Sequence, residues 1–393
     1  MIILAKTSDI SKYIEQRRCL IVTANFLKSP ERGSRARRAP PPLATLGILV
    51  CLLGIAAPAA AQHYNITLYE VADGLPASRV LSLFQDSRGY LWMGTTGGVA
   101  RYNGEEFRVL TRADGMTGNT VVAIGEAPSG EILLGSQEGG LDAWDGSAVS
   151  RVLPESLEVD TVLAVRRDGD RTWVGTESGL LRVGADVSRY GPDQGLPDAR
   201  VHAILVDRRD RIWVGTGAGL ARWDEGRFRP MGGGLPPRTA VRALVDDSGG
   251  QLWVGTDAGL YRETATGFQR VRTPLGRAGV EPAVTAAAAH GSGRLWFGTD
   301  RGALQVSGST VSVLDVGNGL ADGHVNAVLV DREGNVWFGT DRGVAKLVPG
   351  PFSHFTVADG LPDDFVSAVA AAGDHVWVGT RAGVARVDAG GEA

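Results

Sequence analysis

The nine residues IWVGTGAGL at positions 212–220 decide the fold of this chain, because related segments recur seven more times along it. The copies are LWMGTTGGV (91–99), LLGSQEGGL (133–141), TWVGTESGL (172–180), LWVGTDAGL (252–260), LWFGTDRGA (295–303), VWFGTDRGV (336–344) and VWVGTRAGV (376–384). The landmark positions, 40 to 43 residues apart, are Trp92, Leu133, Trp173, Trp213, Trp253, Trp296, Trp337 and Trp377. A constant period of this length indicates a repeated structural unit.

The unit around Trp213 is predicted to contain four short strands. Alternating apolar residues and turn residues place them at positions 201–206, 212–216, 219–223 and 227–231, with Asp224-Glu225-Gly226 as a hairpin turn. A helical solenoid of the same period is excluded, because glycines interrupt the chain too often for helices to form. The predicted fold is therefore all-β, a β-propeller of four-stranded blades.

The repeated Trp-x-Gly-Thr core has a packing role in this interpretation. A tryptophan such as Trp213 offers enough apolar area to fill the wedge between adjacent sheets. The Gly-Thr pair that follows suits a place where blades crowd together. We expect this packing to bury one face of each sheet against its neighbour.

The stretch GLPASRVLSLFQDSRGYLWMGTTGGVARYNG, residues 74–104, resembles the two-component regulator propeller repeat. The resemblance covers about residues 64–393; unit two lacks the Trp, and units two, three and six lack the Gly-Leu-Pro. It implies the periplasmic sensor region of hybrid histidine kinases and related signalling proteins. Family members usually carry two consecutive seven-bladed propellers, then a β-sandwich domain, a membrane helix and a kinase or cyclase. We expect a sensor propeller without a kinase domain in this chain, either stand-alone or part of a longer protein.

The blade count depends on the partner of a strand predicted at residues 66–71. If it pairs with unit eight, the chain is a single eight-bladed ring; if it pairs with unit seven, the ring has seven blades. Seven is favoured by the break at Pro349-Gly350-Pro351 and by residues 357–362, which repeat residues 71–76 identically. The predicted division is 1–61 for an N-terminal extension and signal peptide, 64–348 for a seven-bladed propeller, and 351–393 for an eighth unit that starts a second propeller.

The first 61 residues have the features of a secretory signal. Arginines 35, 37 and 38 precede a short apolar run and an Ala-rich cleavage site, with cleavage predicted after Ala61. This predicts a periplasmic or secreted protein that contacts a membrane only through the signal peptide or a C-terminal part beyond this chain. Cys19 and Cys51, the only cysteines, lie in the segment to be removed, so no disulfide, cysteine-ligated metal or cofactor is expected.

The charge of the chain argues against nucleic acid as a partner. The net charge is −4, and removal of the first 61 residues leaves 31 Lys and Arg against 41 Asp and Glu. Binding to phosphates needs clustered basic residues, and the mature sequence has no basic run. The sequence does not indicate an oligomeric state.

The sequence contains no recognisable catalytic motif, so an enzyme is not the leading hypothesis. It has no G-x-S-x-G, H-E-x-x-H or P-loop segment, and its six histidines are not at metal-ligand spacings. The repeated Asp86, Asp207, Asp247 and Asp331 are interpreted as turn-forming residues rather than calcium ligands, because the downstream glutamate of a calcium loop is missing. No metal site is predicted.

The candidate binding residues open the innermost strand of each unit and are predicted to lie at the mouth of the central channel. This ring is Arg79, Thr120, Thr161, Arg200, Ala240, Ala283, His324 and Phe365. The polar or aromatic members, Arg79, Thr120, Thr161, Arg200, His324 and Phe365, are the predicted ligand contacts. Two arginines and a histidine favour a ligand with an anionic group.

The leading hypothesis is an extracytoplasmic sensing module that binds a small polar ligand or glycan at one propeller face. A secreted propeller enzyme, a lyase or a glycan-degrading enzyme, is the alternative from another class. It requires a His/Glu or paired-carboxylate cluster at the channel, which His324 alone does not supply. A protein-binding scaffold is the third possibility, and a large apolar patch on the loop face would favour it.

Overall fold

The computed structural model describes residues 2–5, 65–153, 157, 159–349, 352–355, 357, 360–363, 365–372 and 375–388. Residues 64–349 form one compact unit, and the strands Ile2–Ala5 and Phe352–Phe355 belong to another. The predicted signal peptide lies outside the described residues apart from the strand Ile2–Ala5. None of the helices in the described part of the chain is long and apolar enough to cross a membrane.

The unit of residues 64–349 is built from four-stranded antiparallel sheets arranged as blades, numbered I to VII here. Sheet I comprises Val80–Gln85, Leu91–Thr95, Val99–Tyr102 and Phe107–Leu110, and sheet II comprises Val121–Glu126, Ile132–Ser136, Leu141–Trp144 and Val149–Arg151. Sheet III comprises Val162–Asp168, Arg171–Thr176, Gly179–Val183 and Val187–Tyr190. Sheet IV comprises Val201–Val206, Ile212–Thr216, Gly219–Asp224 and Arg227–Met231.

The remaining sheets follow the same pattern. Sheet V comprises Val241–Asp246, Leu252–Thr256, Gly259–Thr264 and Gly267–Val271. Sheet VI comprises Val284–Ala289, Leu295–Thr299, Gly302–Ser307 and Thr310–Leu314. Sheet VII comprises Val325–Val330, Val336–Thr340 and Gly343–Leu347, together with the N-terminal strand Ile66–Tyr69. Short 3-10 helices lie at Val71–Asp73, Arg112–Asp114, Pro192–Gln194 and Val316–Asn318. The all-β propeller fold predicted from the repeats is confirmed.

Sheet IV shows how closely local sequence specifies a blade. Its strands match the predicted positions, except that the third continues to Asp224. Asp224 pairs with Arg227, which leaves a two-residue turn of Glu225 and Gly226, with φ angles of 45° and 95°. Positive φ at both positions is the geometry that twists a hairpin in the same sense as its strands.

In sheets I to VII, each landmark side chain packs against the following sheet. Trp213 is fully buried among Val241, Val254 and other residues of sheet V. Trp337 of sheet VII is 1 % exposed and packs among residues of sheet I, including Val80 and Met93. The predicted inter-blade role is confirmed for the tryptophans of these sheets, and sheet VII packs against sheet I.

The glycine after Trp-x is required by the close approach of the next blade. A Cβ atom on Gly215 would lie 2.6 Å from the carbonyl oxygen of Val241. One on Gly339 would lie 2.9 Å from Cγ1 of Val80, again between sheets VII and I. Any larger residue would push the blades apart at these positions.

The repeated aspartates form the predicted turns. Oδ1 of Asp207 accepts hydrogen bonds from the backbone N–H groups of Arg209 and Arg211, at 2.9 and 3.0 Å. Asp331 makes the corresponding bond to Asn335 N–H at 2.8 Å. An aspartate at the start of the turn thus satisfies donors that the first two strands leave unpaired.

The N-terminal strand Ile66–Tyr69 is shorter than the predicted 66–71, because Val71–Asp73 turns into a 3-10 helix. It pairs with Gly343–Leu347, with Ile66 opposite Leu347 and Tyr69 opposite Val344. Its partner is therefore unit seven, the pairing on which the seven-bladed alternative depends.

Unit eight is described by itself. Its three strands, Val366–Ala372, His375–Thr380 and Val384–Asp388, form one sheet, and Phe352–Phe355 pairs with Ile2–Ala5. Trp377, at the landmark position, is 44 % exposed, whereas Trp213 is fully buried.

Candidate functional site

The innermost strand of each of sheets I to VII contains a β-bulge at the same position. In sheet IV, Val201 pairs with Thr216 and Ala203 pairs with Gly215, so His202 has no partner on the second strand. A bulge bends the strand and re-aims the extra side chain. The seven bulge residues are Leu81, Val122, Leu163, His202, Arg242, Thr285 and Asn326.

All seven bulge residues line a single cavity of about 430 Å³, called the mouth cavity here. Its other lining residues are Asp257, Ala283, Asp300 and His324. The first strands of adjacent sheets lie side by side. The mouth cavity therefore lies where one residue from every sheet of this unit converges.

The mouth cavity has an apolar side and a polar side. Sheets I to III contribute Leu81, Val122 and Leu163, which are apolar. Sheets IV to VII contribute His202, Arg242, Thr285 and Asn326, which are polar. Because the sheets follow one another in order, the two sides are contiguous rather than interspersed.

His202 is uncharged at neutral pH. Burial, with the positive charges of Arg242 and Arg200, lowers the pKa of its imidazole to about 4, although Asp257 and Asp198 act in the opposite direction. A neutral imidazole offers one hydrogen-bond donor and one acceptor. His202 can therefore bind a hydroxyl or carbonyl group without requiring a charged ligand.

Arg242 is held by an ion pair with Asp257, which directly follows the second strand of the same sheet. Its Nε donates to Oδ1 of Asp257, and its Nη2 donates to Oδ2 at 3.2 Å. Such a two-point contact fixes the plane of the guanidinium group. Both side chains are about 40 % exposed, so they remain accessible to a ligand.

Asn326 and Asp341 join sheet VII to sheet I beside the mouth cavity. The Asn326 side-chain amide donates to the carbonyl oxygen of Val80 at 3.1 Å and to Oδ1 of Asp341 at 2.8 Å. Nδ1 of His324 lies 3.8 Å from the other oxygen of Asp341. Among the described residues, nothing donates a hydrogen bond to Oδ1 of Asn326, which leaves an acceptor for a ligand.

Two members of the predicted ring, Ala283 and His324, line the mouth cavity. The other ring residues lie outside its lining, and several engage neighbouring groups. Arg79 Nε lies 3.0 Å from Asp341, and Arg200 Nε lies 3.9 Å from Glu177. The ring as a set of ligand contacts stays a prediction.

The hydroxyl members of the ring are bonded within the fold. Thr120 Oγ1 donates to Glu138 at 3.0 Å, and Thr161 Oγ1 donates to the carbonyl oxygen of Gln137 at 2.8 Å.

The remaining ring members, Ala240 and Phe365, have no hydroxyl group. The carbonyl oxygen of Ala240 accepts a hydrogen bond from the backbone N–H of Asp257 at 3.1 Å. In unit eight, the guanidinium carbon of Arg381 lies 4.1 Å from the ring centre of Phe365.

Sequence reasoning missed the bulge residues, which directly follow the first valine of each innermost strand. The alternation in VHAILV places His202 on the solvent side of an ordinary strand, and nothing in that alternation reveals the extra residue. One available signal was the variability of the middle position in Val-x-Ala, which holds His202, Arg242 and Asn326. The cavity they share depends on the circular arrangement.

Three repeats match a known family. Residues 74–97, 195–218 and 319–342 match the family described as two component regulator propeller. The chain carries two component regulator propeller repeats. Each matched segment runs from the Gly-Leu loop through the first two strands and includes one bulge residue: Leu81, His202 or Asn326.

Solved structures from B. thetaiotaomicron share the fold of these two component regulator propeller repeats. The extracellular domain of one hybrid two component system is 22% identical with a TM-score of 0.62, and the alignment covers 83% of this chain and 46% of that one. A second such domain is 20% identical with a TM-score of 0.67, covering 84% and 49%. The chain thus spans about half the length of these extracellular domains.

The same fold occurs in enzymes. Virginiamycin B lyase from Staphylococcus aureus is 12% identical with a TM-score of 0.59, and the alignment covers 73% of this chain and all of the lyase chain. A search among curated proteins found no match. At these identities, the similarity of the two component regulator propeller repeats to solved structures establishes the fold alone.

Proposed function

We propose that this chain is an extracytoplasmic ligand-sensing module of a two-component-type signalling protein, and that its ligand is a small polar molecule or glycan bound in the mouth cavity. The observation that carries the proposal is the convergence of seven bulge residues on one cavity. Bulges depart from ordinary strand pairing, and such departures are enriched next to functional sites. Their repetition places a side chain from every sheet at one point.

The two sides of the mouth cavity suit a sugar ring. A pyranose has an apolar face of C–H groups, which can pack on Leu81, Val122 and Leu163. Its hydroxyls can bond to His202 and Asn326 on the opposite side. A volume of about 430 Å³ lies in the range of small-molecule sites and is ample for one or two sugar rings.

The proposed role in sensing rests on the propeller repeats and on the solved structures that share their fold. Proteins with this propeller fold include extracellular domains of hybrid two component systems, of which the alignment covers about half. We place this chain in the periplasm or outside the cell on the same grounds. Residues 64–348 would be one seven-bladed propeller, and residues 351–393 would begin a second.

A lyase is the second candidate, because the structure brings His202, His324, Asp257 and Asp300 to one cavity. That cluster is richer than the single histidine expected from sequence. However, a general base works best with a pKa near the working pH. A pKa of about 4 makes His202 a weak base at neutral pH, which favours binding over catalysis.

The direct test is a binding screen on the chain, using mono- and disaccharides and sugar acids in thermal-shift and calorimetric assays. We expect at least one compound to raise the melting temperature of the wild type and to lose affinity for the His202→Leu variant. The matched control is His290→Leu, since His290 bonds to Gly334 and Ser292 outside the mouth cavity and should leave affinity unchanged. Equal affinities for wild type and His202→Leu would overturn the placement of the site. Turnover of a bound compound would favour the lyase.

A further inference from the structure

A set of apolar side chains follows the bulge residues along the innermost strands. These side chains belong to the residues two positions after the bulge residues, and each packs in or against the core between two adjacent sheets. They are Leu83, Ile124, Val165, Ile204, Leu244, Ala287 and Val328. Every one is apolar, and we call this set the apolar layer.

A second cavity of about 870 Å³ lies on the other side of the apolar layer and is called the cup here. All members of the apolar layer except Ile204 line it. No residue lines both the cup and the mouth cavity. The cup is therefore a separate space with an apolar floor.

Five charged residues line the cup: Glu126, Arg166, Arg167, Asp246 and Arg332. Three arginines face two carboxylates, so the cup carries an excess of one positive charge. The whole chain has a net charge of −4, so the sign of the cup is opposite to that of the protein. Within this cavity, an anion is favoured over a cation.

Four of these charged groups are already engaged. Glu126 accepts hydrogen bonds from the backbone N–H and the hydroxyl of Ser87. Oδ2 of Asp246 lies 3.5 Å from Arg208 Nε.

The two engaged arginines donate to backbone carbonyl groups. Arg332 donates to the carbonyl oxygens of Asp86 and Ser87 at 2.8 and 3.0 Å. Nε of Arg167 donates to the carbonyl oxygen of Gly169 at 3.1 Å.

Arg166 is the exception. Its guanidinium group makes no hydrogen bond or ion pair with any described residue, although it lines the cup. Although the residue itself is exposed, the surrounding protein partly desolvates its guanidinium group and lowers the pKa of Arg166, and the charge of Asp246 only partly offsets this effect.

The position of Arg166 is also exceptional among the repeats. It pairs across the sheet with Trp173, the landmark of its unit. The residues opposite the other landmarks of sheets I to VII are apolar or glycine, namely Phe84, Gly125, Leu205, Val245, Ala288 and Leu329. Packing alone therefore calls for an apolar residue here, and an arginine needs another reason.

We propose that the cup is a second ligand site, which binds a small organic anion with its carboxylate on Arg166 and its apolar body against the apolar layer. The planar guanidinium group suits a carboxylate, since two N–H groups can bond to both oxygens. The floor removes the apolar body from water. This site differs from the mouth cavity in charge and in ligand class.

Calorimetric titration of the full chain with 2-naphthoate tests the proposal, with 2-naphthamide as the neutral isostere and acetate as an anion without an apolar body. We expect naphthoate to bind at least about 10-fold more tightly than either compound, since a charge-assisted contact and the apolar contact both contribute. Arg166→Gln should weaken naphthoate binding by about 10-fold or more. The neighbouring Arg167→Gln, which leaves Arg166 in place, should weaken it by less than about 3-fold.

Two further variants keep the test independent of folding and of the mouth cavity. Arg166→Leu places the residue type of the aligned Leu205 at this position, so it should fold and also lose naphthoate binding. His202→Leu should leave naphthoate binding unchanged. Wild-type affinity in either Arg166 variant, equal binding of naphthamide, or no naphthoate binding at millimolar concentrations would overturn the proposal.

Discussion

The indole Nε1–H of Trp213 donates a hydrogen bond of 2.9 Å to Oδ2 of Asp207, which opens the turn six residues earlier. The same bond joins Trp92 to Asp86 at 2.9 Å and Trp337 to Asp331 at 2.7 Å. One carboxylate thus organises the turn through Oδ1 and orients the inter-blade tryptophan through Oδ2. The turn and the packing between blades are therefore linked in a single repeat.

Replacing Trp213 with alanine should lower the free energy of unfolding by about 3–5 kcal/mol, because the fully buried indole leaves a cavity between sheets IV and V. Urea unfolding monitored by circular dichroism measures the loss. Trp213→Phe retains most of the packing but not the hydrogen bond to Asp207, so its loss should be smaller. An unchanged unfolding midpoint for Trp213→Ala would contradict the packing role.

Replacing Asp207 with asparagine should destabilise the protein by about 1–3 kcal/mol at neutral pH, since an amide accepts fewer of the bonds that converge on this side chain. Burial alone would raise the pKa of Asp207, but the hydrogen bonds from Trp213, Arg211 and Arg209 outweigh it and lower the pKa below 3.8. The ionised carboxylate thus contributes stability above pH 3.8 that is lost as the pH falls through the folded-state value.

Melting temperatures measured from pH 2.5 to 7 test this linkage. The difference between wild type and Asp207→Asn should shrink in acid, because protonation removes the advantage of the wild-type carboxylate. A difference that stays constant over this range would show that Asp207 does not titrate as the hydrogen bonds require.

His202 should remain neutral down to about pH 4 in the folded protein, whereas its unfolded value is 6.5. Between these values the unfolded state binds more protons, so stability is complete above pH 6.5 and declines as the pH falls toward 4. We expect a contribution of about 1–3 kcal/mol, reduced from the full shift by partial solvent access. Observation of the imidazole by NMR during a pH titration gives the pKa directly.

His202→Leu should flatten the pH dependence of stability between pH 4 and 6.5. A midpoint near 6.5 in the NMR titration would contradict the buried, cation-flanked setting of His202.

A chain truncated to residues 64–349 should unfold in one cooperative transition, with a melting temperature within a few degrees of the corresponding transition in the full chain. The reason is that Ile66–Tyr69 pairs with Gly343–Leu347, so removing residues 350–393 breaks no strand pairing of sheets I to VII. Differential scanning calorimetry measures both transitions. Failure of the truncated chain to fold would favour the eight-bladed alternative.

Much of the blade could be predicted from sequence because its determinants are local. Trp213, Gly215 and Asp207 each act within one unit or on the adjacent one. The spacing of the Trp and the Gly recurs in every copy except unit two, which has Leu133 in place of the Trp. The hairpin at Glu225 and Gly226 follows from the turn residues themselves. Strand bounds in sheet IV were predicted to within a residue on the same basis.

The sequence by itself thus determined the repeat, the strands, the turns and the packing role of Trp213. Only the tertiary structure decided which residues share a cavity, because a bulge shifts His202 out of the expected alternation and the alternation itself does not reveal the bulge. The contact of sheet VII with sheet I then brings together residues far apart in the chain, as when Asn326 bonds to the carbonyl oxygen of Val80, 246 positions earlier. The lack of an ion-pair partner for Arg166 among the described residues is likewise decided by the tertiary structure, since residues of other blades could have supplied one.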